Sequence, residues 1–161
     1  MEEAEATVKR CTHPRPLRDL VRRVQRCLTP DLLDRGYAPG KHPHAGHCAV
    51  ATEAVWVEAA RDLGYKSRVA TWRGRPGTSP VGAPPCEAED RKAGNCSSHW
   101  WLVSPEGCVL DPTSGQFSKR ELEAVYARGR GAGAQGVRYR DGVLVPSTRA
   151  AKVLRRMKGL P

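Results

Sequence analysis

The segment Gly46-His47-Cys48-Ala49-Val50-Ala51-Thr52-Glu53-Ala54-Val55 predicts a helix that begins at a cysteine. A helix N-terminus presents unpaired N–H groups and a partial positive charge, so a thiol placed there ionises more easily. The thiolate is the nucleophilic form of cysteine. A single cysteine at a helix start is weak evidence, because most cysteines are small buried residues. Cys48 becomes a candidate nucleophile only together with partners elsewhere in the chain.

Two later segments offer such partners. His99 is followed directly by two tryptophans, and Asp111 stands before Pro112-Thr113. A nucleophilic cysteine needs a base beside it, and that base needs a group that orients it. Taken singly, His99 is typical of a structural histidine and Asp111 of a turn former. Together with Cys48, they favour a catalytic set.

A hairpin is predicted to bring His99 and Asp111 together. Alternation along a strand puts His99 and Trp101 on one face. Pro105-Glu106-Gly107 has the composition of a three-residue turn with its glycine in the left-handed conformation. That turn length pairs Trp101 with Asp111, so His99 and Asp111 lie diagonally on the same face. A two-residue turn would put them on opposite faces. In the first register, one ring nitrogen of His99 is left for Cys48.

The other periodic segments complete an α+β domain in which helices pack on an antiparallel sheet. We expect the whole chain, 1–161, to form one domain. The predicted elements are an amphipathic helix over 16–28, a short helix from Thr29 to about Gly36, the central helix 48–63 with an apolar face of Ala51, Ala54, Val55, Ala59 and Leu63, a strand over 65–72, a helix from the capping box at Ser118 to about Arg128, a hairpin over 137–145 that turns at Asp141-Gly142, and a basic C-terminal helix over 147–160.

Four segments are predicted to be irregular. Residues 1–14 lack a period and are expected to be mobile. Residues 37–46 form a loop. Residues 73–95 are too rich in proline and glycine for a helix or a central strand, and form either a flap over the site or a surface insertion. Residues 129–136 are a flexible glycine-rich link.

Charge and cysteine usage bear on partners and location. The net charge of +10 fits a solvated basic surface, an acidic partner or substrate, or nucleic acid. The acidic N-terminus lacks the apolar region of a signal peptide, and no apolar run approaches the roughly 20 residues of a membrane span. Because the spacing of the six cysteines is irregular, we expect reduced cysteines and a cytoplasmic protein without a membrane partner.

Histidines cluster before Cys48, at positions 42, 44 and 47. The chain lacks the second half of a structural zinc motif, because Cys86 and Cys96 do not form a paired short spacing. We therefore predict no metal and no cofactor, and we place this loop on the rim of the site. The candidate substrate-binding residues are Trp100, Trp101, His47 and His44.

The chain resembles the transglutaminase-like superfamily of papain-like cysteine enzymes over roughly residues 46–117. That family has Gly-x-Cys at the start of a helix, a His at the start of a strand with an aromatic residue close behind, and an Asp often followed by Pro-Thr. These stand here as Gly46-His47-Cys48, His99-Trp100-Trp101 and Asp111-Pro112-Thr113. Residues 63–69 also look like the family's turn from helix into first strand.

The resemblance implies that Cys48 is the nucleophile, His99 the general acid and base, and Asp111 the residue that orients His99. It also implies that the backbone N–H of Cys48 supplies part of an oxyanion hole, with a second donor from upstream. Tyr37, His42 and His44 are all candidates for that donor. The family includes cross-linking transglutaminases, proteases, peptide amidases, deamidases and inactive binding domains.

We therefore expect a thiol enzyme that acts on amide bonds of a peptide or protein. Hydrolysis is favoured over cross-linking, since the chain shows no further domain and no calcium loop. The alternative is a basic adaptor on an inert fold, which would bind nucleic acid or an acidic partner through its C-terminal helix.

Overall fold

The computed structural model describes residues 11–33, 46–133 and 136–161. In these residues the protein combines helices with antiparallel sheet, so the α+β class is confirmed. The helices are α1 (Arg15–Arg26), α2 (Cys48–Val55), α3 (Ala88–Lys92), α4 (Lys119–Ala127) and α5 (Thr148–Met157). The strands are β1 (Lys66–Arg73), β2 (Cys96–Val103), β3 (Val109–Leu110), β4 (Arg130–Ala132), β5 (Arg138–Arg140) and β6 (Val143–Val145).

The main sheet has the strand order β3-β2-β1-β4 and all its pairs are antiparallel. Its centre is the long pair β1–β2, which runs from Lys66 opposite Val103 to Arg73 opposite Cys96. The strands β5 and β6 form a separate hairpin. That hairpin turns at Asp141 and Gly142, both with positive φ, as the Asp-Gly pair predicts.

The helices cover the sheet with the apolar faces that their periodicity predicts. Helix α1 has a proline in its first turn and buries Leu17, Leu20, Val21 and Val24 in one cluster with residues of α2 and α5. Helix α4 begins with the predicted capping box. The side chain of Ser118 accepts the backbone N–H of Glu121, and the side chain of Glu121 accepts the backbone N–H of Ser118. Helix α5 begins with Ser147, whose hydroxyl accepts the N–H of Ala150. The apolar period and the capping residues that mark each of these helices lie within its own segment, so the sequence predicts it.

The central helix differs from its prediction. It is α-helical only over Cys48–Val55 and continues as a π-helical turn over Trp56–Ala60. A π turn contains one extra residue, so it rotates every later side chain away from the original apolar face. This explains why Leu63, predicted on the buried face, is 47% exposed.

Helix α2 also carries a buried carboxylate that connects it to α5. Glu53 is 6% exposed, and one of its oxygens accepts the N–H of Ser147 at 2.7 Å. Burial raises the pKa of Glu53, and the hydrogen bond to Ser147 opposes that shift. A Cβ atom at Gly136 would lie 2.5 Å from the other oxygen of Glu53. The end of the 129–136 segment is thus fitted closely around this carboxylate.

The prediction that the cysteines are reduced is wrong for four of them. Disulfides join Cys11 to Cys108 and Cys86 to Cys96, which leaves Cys27 and Cys48 as thiols. Disulfides persist in oxidising surroundings. The expected cytoplasmic location therefore loses the argument on which it depended.

The segment 11–14, which was expected to be mobile, is held against the β2–β3 hairpin. Besides the Cys11–Cys108 bridge, His13 hydrogen-bonds through Nδ1 with the hydroxyl of Tyr65 and donates from Nε2 to the carbonyl of Val109, both at 2.7 Å. These contacts come from partners 52 and 96 residues away. Local sequence patterns carry no sign of them.

The segment 73–95 is ordered at several points, and its end contains a helix that its composition seemed to exclude. All its prolines precede residue 86, so residues 88–92 are free to form α3. The indole of Trp72 donates to the carbonyl of Thr78, and the guanidinium of Arg128 donates to the carbonyls of Pro80 and Ala83. Together with the Cys86–Cys96 bridge, these bonds fasten the segment to the rest of the domain.

The expected flexible link 129–136 contains an edge strand. Residues Arg130–Ala132 pair with the first half of β1. Sheet pairing uses backbone groups alone, so a glycine-rich segment can join it when the neighbouring strand is already in place.

Two further predictions fall partly or wholly outside the described residues. The short helix predicted from Thr29 is represented by a 3₁₀ turn at Pro30–Leu32. Leu33 is already extended, so the predicted helix does not continue there. Its last positions and the loop that holds Tyr37, His42 and His44 belong to 34–45, which is not described. In the described ranges, no helix is long and apolar enough to cross a membrane.

Candidate active site

His99 and Asp111 form a buried pair. His99 lies on β2, and Asp111 follows directly after β3, with Leu102 opposite Leu110 and Val103 opposite Val109. This is the register that the three-residue turn predicts, and Gly107 has the expected positive φ of 85°. The Nε2 atom of His99 lies 2.6 Å from Oδ2 of Asp111, and the two side chains are 0% and 2% exposed. An imidazole N–H donating to a buried carboxylate at this distance is a strong, charge-assisted hydrogen bond.

Asp111 is held by two further donors. Its Oδ1 atom accepts the backbone N–H of Thr113 at 3.1 Å, and its Oδ2 atom accepts the hydroxyl of Tyr126 at 2.8 Å. The next residue, Pro112, is tied to α1, because the side-chain amide of Gln25 donates to its carbonyl at 2.8 Å. The Asp111-Pro112-Thr113 segment is therefore held by hydrogen bonds from α1 and α4 and by one within the segment itself.

Cys48 is the first residue of α2 and lies half-buried beside β2. Its thiol donates to the carbonyl of Ser98, with 3.9 Å between sulfur and oxygen. One turn later, the hydroxyl of Thr52 donates to the carbonyl of Trp100 at 3.2 Å. These two contacts seat the helix on the strand at either side of His99, so the thiol lies next to the imidazole.

The second ring nitrogen of His99 points to the Cys48 side of the pair. Nδ1 is fully buried and makes no hydrogen bond of normal geometry within the described residues. The Cys48 thiol is nevertheless near enough to affect the protonation of His99.

His99 is held in its protonated form. Burial alone lowers the pKa of a histidine, because a charged ring loses its hydration. Here the charge of Asp111 and its hydrogen bond, with a smaller contribution from Cys48, outweigh burial and raise the pKa of His99 to about 10. The raised pKa favours the form with a proton on each ring nitrogen, in which Nδ1–H is available to a partner.

Aromatic side chains enclose the imidazole. Trp101 stacks on it with 5.9 Å between ring centroids, and Phe117 meets it edge-on at 4.8 Å. Tyr126 packs against Trp101 with 5.1 Å between ring centroids. These rings exclude water from the His99–Asp111 hydrogen bond and so strengthen it.

The predicted substrate-binding residues lie in three different environments. Trp100 is half-buried on the opposite face of β2 from His99. Trp101 and His47 are each 2% exposed, so in this conformation they line the interior behind the site and offer no surface to a substrate. His44 lies outside the described residues. A role in substrate binding stays a prediction for all four.

The described residues hold no metal-binding cluster, and a cavity lies apart from the pair. No group of three or more His, Cys, Asp or Glu side chains in the described residues could hold a metal ion. A cavity of about 630 Å³ is lined by residues 64–68, 103–105 and 131–133 with Trp56, at the end of the sheet away from Cys48 and His99.

Two of the residues around His99 carry no signal in the sequence. Tyr126 lies on α4 and Phe117 in the segment before it, outside the three motifs.

A comparison with protein-family models, with curated proteins and with solved structures finds no match for this chain.

Proposed function

We propose that the protein is a cysteine-dependent enzyme that transfers acyl groups from amide bonds of a peptide or protein, and that its core is of the transglutaminase-like, papain-like kind. Hydrolysis, as in a protease, amidase or deamidase, is the favoured outcome. Cys48 is the nucleophile, His99 the general acid and base, and Asp111 the partner of His99.

One observation carries this proposal. A buried imidazole is bound to a buried carboxylate through Nε2 at 2.6 Å, while its Nδ1 faces a half-buried thiol at a helix N-terminus. Buried charged pairs of this kind cost desolvation energy, and titratable groups with strongly shifted pKa values cluster at functional sites. A cysteine, a histidine and a carboxylate in this order are the parts that thiol acyl transfer requires.

The chemistry follows from these positions. In the reacting pair the Cys48 proton resides on His99. The Cys48 thiolate attacks the amide carbonyl carbon, which forms a carbon–sulfur bond and opens the carbonyl double bond to a tetrahedral oxyanion. The first backbone N–H groups of α2 are not used inside the helix, so they can stabilise that oxyanion. The intermediate then breaks its carbon–nitrogen bond while His99 gives its Nδ1 proton to the departing amine. A thioester and a neutral imidazole remain.

Water completes the cycle. Neutral His99 accepts a proton from a water molecule that attacks the thioester. The carbon–sulfur bond then breaks, the carboxylic acid leaves, and the Cys48 thiolate beside protonated His99 is restored. Asp111 keeps Nε2–H in place throughout, so Nδ1 is the nitrogen that exchanges protons with the reacting groups. An amine in place of water would give transfer instead of hydrolysis.

The protein contains its own control for an experiment, because Cys27 is a second thiol of similar, half-buried exposure. We would measure the rate of alkylation of Cys48 and Cys27 by iodoacetamide from pH 5 to pH 9, with mass spectrometry to separate the two. We expect Cys48 to react at least about tenfold faster than Cys27 below pH ~8.5, the ordinary pKa of a thiol. The advantage should vanish in His99→Ala, and Asp111→Asn should reduce it.

Activity is tested next with a mixture of peptides, by detection of released amines and of new carboxyl ends. Cys48→Ala should abolish turnover and Cys27→Ala should leave it unchanged. The proposal is abandoned if Cys48 reacts no faster than Cys27 in the wild type and if Cys48→Ala turns over the peptides as the wild type does.

The alternative, a basic adaptor on an inert fold, is favoured by a different surface from the one first expected. Most cations of α5 and of the residue after it pair with other groups of the same protein. Lys152 and Arg156 both contact Asp31, Arg149 donates to the carbonyl of Leu32, and Lys158 lies near Glu58. Helix α1, in contrast, exposes Arg15, Arg18, Arg22, Arg23 and Arg26.

Binding of a duplex DNA oligonucleotide and of polyglutamate at increasing salt tests this alternative. It predicts salt-dependent binding that survives Cys48→Ala and is lost in the double variant Arg18→Glu with Arg23→Glu. The double variant Lys119→Glu with Arg120→Glu, on the exposed start of α4, makes the same change of charge elsewhere. Equal effects of the two double variants would mean that net charge alone is responsible, and the adaptor would be rejected.

A further inference from the structure

The carboxylate of Asp111 receives three hydrogen bonds, and one of them comes from outside the three motifs. His99 and Tyr126 both donate to Oδ2, at 2.6 and 2.8 Å, and the backbone of Thr113 donates to Oδ1 at 3.1 Å. Without Tyr126, a single donor besides His99 would define the plane of the carboxylate. Rotation of Asp111 would then draw Oδ2 away from Nε2 of His99.

Helix α4 holds the Tyr126 ring firmly. The helix begins with the Ser118–Glu121 capping box, and Val125, beside Tyr126 in the chain, is fully buried. At its end, Arg128 is fastened to the carbonyls of Pro80 and Ala83. The ring itself packs on Trp101, which in turn stacks on His99. The hydroxyl is therefore presented to Asp111 by a supported side chain.

The hydroxyl of Tyr126 keeps its proton and so remains a hydrogen-bond donor. Burial, together with the charge of Asp111 and the hydrogen bond to it, raises the pKa of Tyr126 far above that of an ordinary tyrosine. Because a carboxylate oxygen only accepts, the hydroxyl must donate to it. Throughout the neutral range, Tyr126 thus supplies a fixed hydrogen bond to the oxygen that His99 also uses.

We propose that Tyr126 is a positioning residue of the candidate active site, whose hydroxyl holds Asp111 in the orientation that receives the Nε2–H of His99. The inference rests on the proposed function for its catalytic meaning. The effect on His99 itself is independent of any reaction. Tyr126 acts through Asp111, so it shapes the protonation and mobility of His99 without touching a substrate.

Tyr126→Phe is the decisive variant, since it removes the hydroxyl and keeps the ring on Trp101. Tyr65→Phe is its matched control. Tyr65 is buried where Tyr126 is partly buried, and its hydroxyl likewise makes one hydrogen bond, to His13 at 2.7 Å, away from the site. A loss that comes only from a missing buried hydrogen bond would be common to both variants.

The primary measurement is the exchange with water of the His99 Nε2 proton, by NMR on ¹⁵N-labelled protein, with His99→Gln to identify the signal. A hydrogen bond to a charged group accounts for about one to two orders of magnitude in an equilibrium constant. We therefore expect exchange to be about tenfold faster in Tyr126→Phe and unchanged in Tyr65→Phe. Equal exchange in Tyr126→Phe and the wild type, or no protected Nε2 proton in the wild type, would overturn the proposal.

The second measurement is alkylation of Cys48 relative to Cys27 in the same three proteins. We expect Tyr126→Phe alone to lose several-fold of the Cys48 advantage and to change its dependence on pH. If Cys48 has no advantage in the wild type, the proposed enzyme fails, and the proton exchange still decides whether Tyr126 positions Asp111. A different outcome is that the wild type shows faster alkylation of Cys48 and that Tyr126→Phe retains it, together with slow exchange of the His99 Nε2 proton. In that case the proposed role of Tyr126 is rejected and the proposed enzyme is not.

Discussion

Gly129 lies against the edge of the Trp101 indole, so closely that a Cβ atom on Gly129 would be 2.5 Å from Cζ2 and 2.9 Å from Cη2 of the ring. Trp101 has no room to withdraw, because its other neighbours are His99 and Tyr126. The glycine just before β4 is therefore part of the packing that supports the imidazole. It is needed for this close approach and not for an unusual backbone angle.

Gly129→Ala should destabilise the protein, because an added methyl group must displace a rigid buried ring. Overpacking of this kind costs about 1–3 kcal/mol. Gly131→Ala, two residues later in β4, has nothing within 4 Å of its new Cβ atom and should be close to neutral. Urea unfolding of both variants checks the prediction. Similar midpoints for the two would show that the Trp101 ring moves aside at little cost.

The disulfides make a prediction about which thiols can be labelled. If the denatured protein is alkylated without reductant, only Cys27 and Cys48 should be modified. Breaking the Cys11–Cys108 bridge should cost more than breaking Cys86–Cys96, since the sequence separations are 97 and 10. The difference in chain entropy between loops of these lengths is roughly 2 kcal/mol.

The double variants Cys11→Ala with Cys108→Ala, and Cys86→Ala with Cys96→Ala, measure that difference through their free energies of unfolding. Labelling of more than two cysteines without reductant would show that the thiols are reduced, as the irregular spacing first suggested. A larger cost for the short loop would mean that packing of Cys86 and Cys96 outweighs chain entropy.

The elements that sequence reasoning predicted correctly depend on near neighbours. The Ser118–Glu121 capping box, the Asp141-Gly142 turn and the turn that ends in Gly107 each involve residues at most three positions apart. The register of the β2–β3 hairpin follows from the length of its turn. For that reason the contact between His99 and Asp111 was within reach of the sequence.

The features that were missed depend on distant partners. Pairing of β4 with β1 depends on a strand more than fifty residues earlier, and the bond of Tyr126 to Asp111 depends on how α4 packs. The π turn after Val55 changes the helical period at a point where the sequence continues smoothly. No local pattern distinguishes these cases, and the cysteine pairing likewise required knowledge of which segments meet.

Asp31, in the 3₁₀ turn Pro30–Leu32, forms ion pairs with α5. The contribution of these pairs to the free energy of unfolding should disappear in acid. Its Oδ2 atom lies 2.7 Å from Nζ of Lys152 and 2.6 Å from Nη2 of Arg156. The hydrogen bonds from Lys152, Thr29 and Arg156 hold the pKa of Asp31 well below its usual value. A depressed carboxyl pKa gives stability that is present above about pH 4, the unfolded value, and is lost as pH falls through the folded pKa.

Asp31→Asn should therefore unfold at lower urea than the wild type at pH 6, and the gap should narrow towards pH 2. Asp19→Asn is the control, since Asp19 is similarly exposed and its ion pairs within the described residues are with Arg15 and Arg22 of its own helix. Such surface pairs within one helix contribute little. A gap for Asp31→Asn that is constant with pH, or no larger than that for Asp19→Asn, would contradict the prediction.

The His99–Asp111 pair should make the protein less stable in mild alkali. The pKa of His99 is raised to about 10, against an ordinary value of 6.5. Between these values the folded protein binds one more proton than the unfolded chain, so the free energy of unfolding falls as pH rises, by up to about 1.4 kcal/mol per pH unit. The contribution is complete below pH 6.5 and lost through pH 10.

We would compare urea unfolding at pH 7, 8 and 9 for Cys48→Ala and for Cys48→Ala with His99→Gln, so that the two proteins differ only at His99. The single variant should lose stability over this range and the double variant should lose much less. Parallel curves would mean that His99 is neutral in the folded protein, and Cys48 would then have to be activated without an imidazolium beside it.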